Sequence, residues 1–245
     1  MKANSLEELG QAELARYAVD AVRRTVLHYG IWFNEVVHQL GLEEAMRIEH
    51  EVSASALPVI MNRLARTLCF DTENGLPLWL VNMEKEKLLG LIDALSVNWL
   101  ANDGLWFQAV EKSHGMYTGK RCNDTCWTRY SPVEASMIGS FLELPGQSGL
   151  DGLEQALRFR LYARINEQCS ERSDDGLVFR MVKCRVQEAR KRKGLPDYPC
   201  KSAGVVEYAT FARTIDPRIK TECIACPPDE HPESWACAWR FYIPA

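Results

Sequence analysis

The sequence has no long apolar run. No stretch approaches the ~18 residues that a membrane span needs, so no membrane partner is expected. A hydrophobic signal core is also missing. The opening "MKANSLEELGQAEL" is polar and acidic, which makes a cytoplasmic location the expectation. No Ser/His/Asp set, phosphate-binding loop or dinucleotide fingerprint is visible, so no reaction can be read off directly. There is no excess of positive charge either: the net charge is −4, which removes a global bias toward nucleic acid or anionic lipid.

What remains is ordinary globular material. The chain has 245 residues, 47% hydrophobic and 25% charged, enough to bury a sizeable core as one large domain or two small ones. Cysteine is the exception, with nine in the chain. In a reducing compartment they point to metal binding or reactivity before disulfides.

The first part of the chain repeats itself. Residues 28–68 and 102–142 align without a gap, 74 residues apart. Identities include Gly30/Gly104, Trp32/Trp106, Phe33/Phe107, Val36/Val110, Gly41/Gly115 and Pro58/Pro132. Each copy reads as a helix that ends in a glycine cap and is followed by a second helix. "NGLP" (74–77) between them is a turn signal. An all-helical region over 1–145, made of two related hairpins, is the expectation. Trp32 and Trp106 would pack the helices or form a ligand wall. Asp103, beside Gly104, is a weak acid–base candidate.

"LELPGQSGLDG" (142–152) concentrates proline and glycine and is taken as the domain boundary. Beyond it, 146–245 reads as a cysteine-rich α+β unit. "LDGLEQALRFRLYARINEQ" is helical by its leucine spacing. "GLVFRMVKC" alternates as a strand ending at Cys184. "RVQEARKRKG" is a short helix, and "SAGVVEYATFARTID" a longer one that stops before Pro217. "RIKTECIAC" and "SWACAWRFYI" are strands. The fold class is therefore α+β, with duplicated helical hairpins followed by a small antiparallel sheet packed with helices and carrying a metal site.

Cys223-x-x-Cys226 has the spacing at which one tight turn offers two thiolates to one ion. Cys200 and Cys237 complete a four-cysteine set. Thiolate-only ligation suits zinc or an iron–sulfur cluster, and zinc fits an all-cysteine staple of a small sheet. Cys184, Glu222 or His231 could replace one ligand, and buried core cysteines with no cofactor are the plain alternative. Cys184 doubles as a weak catalytic candidate. Cys69, Cys122, Cys126 and Cys169 read as structural.

Eight basic residues fall between Arg180 and Lys201, opposed only by Glu188 and Asp197. A solvated helix face explains them simply. An anion site is the sharper reading, with Arg185 and Arg190 as ligand-binding residues for a small anionic molecule. On a regular helix those two lie about 140° apart, so at least one should face solvent. One short basic cluster in an acidic chain is thin support for nucleic acid. The sequence does not set an oligomeric state.

"HYGIWF"/"NDGLWF", "LRFRLYARINEQ", "VFRMVKCRVQEARKRKGLPDYPCKS", "VEYATFARTIDPRIKTECIACPPDEHPE" and "CAWRF" together resemble an uncharacterised bacterial and archaeal family described only as cytosolic proteins. The resemblance spans nearly the whole chain and is strongest from Leu153 to Phe241. More distantly, the C-terminal part resembles L-2-amino-thiazoline-4-carboxylate hydrolase-like proteins and the 4-vinyl reductase domain. Some sensor domains of the latter type hold a structural zinc, and the positions carried over fall on Cys200, Cys223, Cys226 and Cys237. Cys223 stands where an acidic residue is used there, and the spacing from Cys226 to Cys237 is longer. The resemblance implies a small-molecule pocket beside the zinc. The functional expectation is a zinc-stabilised protein that binds a small anionic ligand; a hydrolase of small carboxylated substrates and a nucleic-acid module are the alternatives.

Overall fold

The structure, a computed structural model, describes all residues except 1, 2, 175, 195 and 245. The chain divides into two compact units, Met1–Leu76 and Pro77–Ala245.

The first unit is a helical hairpin. A single 3-10 turn (Leu6–Glu8) precedes α1 (Gln11–Leu40), and α2 spans Leu42–Leu68. The Glu13 carboxylate accepts from the backbone N–H of Gly10 at 2.9 Å and closes the start of α1. Gly41 alone separates the helices, at φ 88° and ψ 164°. This is extended backbone with a positive φ, not the left-handed helical cap expected from the sequence, and it is a region that only glycine occupies without strain. Cys69 ends α2 in the αL conformation. A two-residue turn at Asn74 and Gly75, both with positive φ, joins β1 (Thr72–Glu73) to β2 (Leu76–Pro77), as an Asn-Gly pair favours.

The second unit opens with α3 (Leu78–Val81) and α4 (Lys85–Phe141). Gly115 interrupts α4 at φ 82° and ψ 165°, nearly the conformation of Gly41. Residues 85–114 match α1 in length, and Glu143 takes a positive φ where Cys69 does. Then follow α5 (Gly149–Phe159), α6 (Leu161–Ile165), β3 (Glu167–Ser173), β4 (Gly176–Lys183), α7 (Arg185–Lys191), α8 (Lys201–Ile215), β5 (Lys220–Ala225) and β6 (Cys237–Tyr242). The strands form one antiparallel sheet in the order β3-β4-β6-β5.

Alternation decides which sheet face is covered. Leu177, Phe179 and Met181 of β4 and Trp239 and Phe241 of β6 are buried. They meet Tyr208, Phe211, Ala212 and Ile215 of α8, Leu153 and Leu157 of α5, and Ala135 of α4. The fold is thus α+β, as expected, but the units divide elsewhere. The second half of α4 belongs with the sheet, because Ala135 is part of this core and Ile138 packs on it, with Trp127 and residues 131–134 also buried. The proline- and glycine-rich stretch at 142–152 is a connection inside the second unit. The sequence also hid β3. "EQCSERS" is an edge strand with no buried residue, so it carries no apolar alternation to detect.

Arg160, between α5 and α6, is 2% exposed. Its guanidinium reaches Glu134 of α4 at 2.8 Å and Glu207 of α8 at 2.7 Å. Burial works against its charge, but the two carboxylates outweigh this and hold it protonated. Breaking such a pair leaves buried charge uncompensated, at a cost of about 3–5 kcal/mol. Arg160→Met should therefore destabilise the protein by about that amount. Chemical denaturation of the variant checks this, and a cost under ~1 kcal/mol would show that the two acids find other partners.

Candidate functional site

The inner face of α4 is read from its own spacing. Asp103, Gly104, Phe107, Gln108 and Glu111 line one pocket, at steps of one, three, one and three residues along a helix of 3.6 residues per turn. Trp106 lies about 100° from Phe107 and is 65% exposed. Trp32 in the first unit is 62% exposed. Neither tryptophan lines the pocket, and the expectation that both would be buried in helix packing is corrected. The helix turns Phe107 inward and leaves Trp106, about a quarter-turn away, exposed.

The pocket lies wholly within the second unit and measures about 590 Å³, a usual size for a small-ligand site. Its remaining walls come from Trp127, Tyr162 of α6, Met181 of β4, the first turns of α7, Tyr198, the inner face of α8, and Cys226, Cys237 and Trp239. Gly204 is required there. A Cβ on it would stand 2.6 Å from Cζ2 of Trp239, whose ring stacks on Tyr208 at 4.8 Å between centroids.

The basic segment contributes selectively. Arg185, Arg190 and Lys193 line the pocket. Arg190 is half-buried, donates through Nε to the carbonyl of Pro196 at 2.6 Å, and lies 5.9 Å from the Tyr198 ring centre. Arg185 is exposed, with its backbone N–H bonded to Asn166 Oδ1 at 2.7 Å. The angular argument holds for Arg185, at the rim, while Arg190 turns inward. Other basic residues are spoken for: Arg180 pairs with Glu171, Lys183 with Glu167, Lys191 with Glu188, and Lys201 with Asp229.

Acids face the same space. Burial raises the Asp103 carboxyl, against the pull of Lys120, and raises Glu207 against the pull of Arg160. Glu111 also lines the pocket. Sequence reasoning missed Glu207, Tyr208 and Phe107. The signal for Glu207 was a lone charge in an otherwise apolar, alanine-rich helix face, "GVVEYATFA".

Four of the five clustered cysteines line the pocket: Cys184, Cys200, Cys226 and Cys237. Cys223 stays outside the lining, next to the irregularity between Cys223 and Ala225 in β5. Cys226 shares a hydrogen bond with Cys237, which raises Cys226 and lowers Cys237. The Trp239 side chain adds to the lowering of Cys237. Cys226 also feels Cys200 and Cys223, so the four cysteines expected as ligands are neighbours. Thiol donors suit zinc chemically. The placement is looser than a coordination sphere: among the described residues, no group of three or more His, Cys, Asp or Glu is gathered to hold an ion. Glu222 pairs with Arg240 at 3.2 Å, and His231 faces Asp197 at 3.4 Å and stacks on Trp235. Cys69, Cys122, Cys126 and Cys169 are exposed rather than structural core.

The fold and the pocket coincide with a family match over residues 81–243. The chain belongs to DUF6125, a family of unknown function. The DUF6125 match covers the second unit almost from end to end and none of the first-unit hairpin. No curated protein and no solved structure matches the chain. The comparisons give no link to the thiazoline-carboxylate hydrolases or to the 4-vinyl reductase domain. No helix among the described residues is long and apolar enough to cross a membrane.

The thiols make a pH prediction. Burial pushes Cys184 up to about 11, and Cys200 also lies well above the usual thiol range. In the unfolded chain these groups ionise near 8.5. As pH rises past that value the unfolded state releases protons that the folded state keeps, so stability must fall. Cys237 acts in the opposite sense but is outnumbered. Metal-free protein should melt at a lower temperature at pH 10 than at pH 8, and Cys184→Ala should flatten that slope. Equal melting temperatures would contradict the burial of these thiols.

Proposed function

We propose that the protein binds a small anionic molecule in the pocket of its second unit. The carrying observation is the pocket itself. It joins a half-buried Arg190 and a rim of Arg185 and Lys193 to aromatic walls from Phe107, Trp127, Tyr198 and Trp239. Aromatic surfaces supply contact area, and a few placed charges fix orientation. Arg190 is held by Pro196 and Tyr198, so little side-chain freedom is lost when it meets an anion.

Other readings gain less support. A Cys184 thiol held near 11 is almost wholly protonated at neutral pH, a poor nucleophile. Asp103 remains the better-placed group for hydrolysis. The pairing of Arg180, Lys183, Lys191 and Lys201 with acids of the same chain weakens the nucleic-acid reading.

Zinc is a second part of the proposal. The observation favouring it is the position of Cys226 beside Cys237, Cys200 and Cys223. The thiols would have to lose protons and close up around the ion, so uptake would release protons and add to folding stability.

Thermal-shift titration of full-length protein with small carboxylates and phosphates tests the pocket. A charge-assisted contact from arginine is worth about 1.5–3 kcal/mol, so Arg190→Ala should weaken binding by roughly tenfold or more. Equal affinities for wild type and variant would remove the anion from the proposal. Elemental analysis should find about one zinc per chain, lost in Cys226→Ser. Protein purified without chelator that carries no metal would leave the pocket reading standing and end the zinc reading.

A further inference from the structure

The first unit leaves its apolar surface uncovered. Of all residues in α1 and α2, only Ala45 and Ala65 are buried, and α1 contributes none. Val19, Val22 and Val26 on α1 are exposed, as are Leu57, Ile60 and Leu64 on α2. On each helix the three residues follow i, i+3 and i+7 spacing, which is one face. Counted from Gly41, Val26 stands level with Leu57, Val22 with Ile60, and Val19 with Leu64. The two stripes therefore run at the same heights along the hairpin. In proteins, helical stability comes mostly from packing an amphipathic face. Two buried alanines do not supply that packing.

The matching hairpin of the second unit shows what such a stripe is for. At the same 74-residue offset, Leu57, Ile60, Met61 and Leu64 correspond to Ser131, Glu134, Ala135 and Ile138. Ser131, Glu134 and Ala135 are buried, and Ile138 packs on the core. The stripe on α2 is more apolar than its covered counterpart, yet it is exposed.

We propose that this face joins two copies of the chain, with α1 and α2 of one hairpin packing on α1 and α2 of the other as a four-helix bundle. Helical hairpins are the halves from which such bundles are built. A two-fold contact needs a self-complementary surface, and α2 has one. Its first part, 42–51, carries Glu43, Glu44, Glu49 and Glu51 against Arg47. Its later part, 52–68, carries Arg63 and Arg66 with no acid. Antiparallel packing of α2 against its copy sets each acidic half beside a basic one.

Light scattering on full-length protein, coupled to size exclusion across a wide concentration range, tests the proposal. Wild type should be a dimer. Leu57→Glu with Ile60→Glu should raise the dissociation constant at least tenfold, and helical circular dichroism should fall only as the dimer dissociates, because the packing of this face comes from the partner copy. Arg63→Glu with Arg66→Glu should weaken the dimer and reverse its salt dependence, because acid then faces acid and salt screens the repulsion. Ile224→Glu, on the exposed edge strand of the second unit, should leave association unchanged. A wild type that is monomeric at every concentration overturns the proposal. So does a monomer in which hydrogen exchange shows α2 protected, since the stripe would then be covered within one chain. A dimer disrupted by Ile224→Glu but not by the α2 variants places the contact elsewhere and has the same force.

Discussion

A guanidinium taken almost wholly out of water organises the second unit. Arg160 stands where α5 gives way to α6, and it draws Glu134 of α4 and Glu207 of α8 to one point. An isolated buried charge would cost far more than the fold can spare. The three elements therefore cannot separate without exposing uncompensated charge, and their mutual positions are fixed more sharply than apolar packing alone would fix them. Tyr162, Tyr208 and Phe211 surround the guanidinium with ring faces. Glu207 is shared between this network and the pocket lining. The same contact that holds α4 against α8 therefore sets the shape of the cavity between them.

That arrangement explains how residues far apart in sequence reach one cavity. Asp103 and Phe107 arrive on α4, Cys184 between β4 and the short α7, Arg190 on α7, Cys200 just before α8, and Cys237 on β6. Glycine at 204 lets Trp239 lie against α8, and Trp239 in turn carries β6 and Cys237 into the wall. Gln187 closes the α7 end: its amide donates to the Tyr198 carbonyl at 2.9 Å, and its oxygen accepts from the Tyr198 N–H at 2.8 Å. The loop that brings Tyr198 and Cys200 to the pocket is tied down by one buried glutamine.

Much of this was legible in the chain. The strands β4 and β6 announce themselves by alternation, α8 ends before a proline as expected, and the basic run does reach a pocket. The failures share a physical cause. Periodicity reports how an element meets its neighbours, and it is silent where few neighbours exist or where the neighbour is unknown. β3 is polar on both faces, so it left no pattern. Proline and glycine at 142–152 signal a break in helix, and a break in helix is not a break in packing. Trp32 and Trp106 were placed by size, whereas the angular position of Phe107 on the same helix decides which side faces the core. The cysteine spacing brought Cys200, Cys223, Cys226 and Cys237 into one neighbourhood; whether thiols close around an ion depends on side-chain distances, which spacing does not carry.

The two glycines quoted in the repeat carry the remaining step. Gly41 and Gly115 share a conformation that a side chain would strain, and each sits between a long helix and a second helix with a proline at the same later position. A substitution at either would cost energy whatever surrounds it, so the residue type follows from the hairpin and not from its burial. The hairpin is thus a self-defined unit of local structure whose apolar face can be spent on different neighbours. In the second unit the face is spent on α8 and the sheet, within the span that the family match covers. In the first unit the hairpin lies outside that span, and leucine and isoleucine stand 74 residues before Ser131 and Glu134. Glu134 lets the second-unit face receive the buried Arg160, whereas Leu57 and Ile60 on α2 offer only apolar contact.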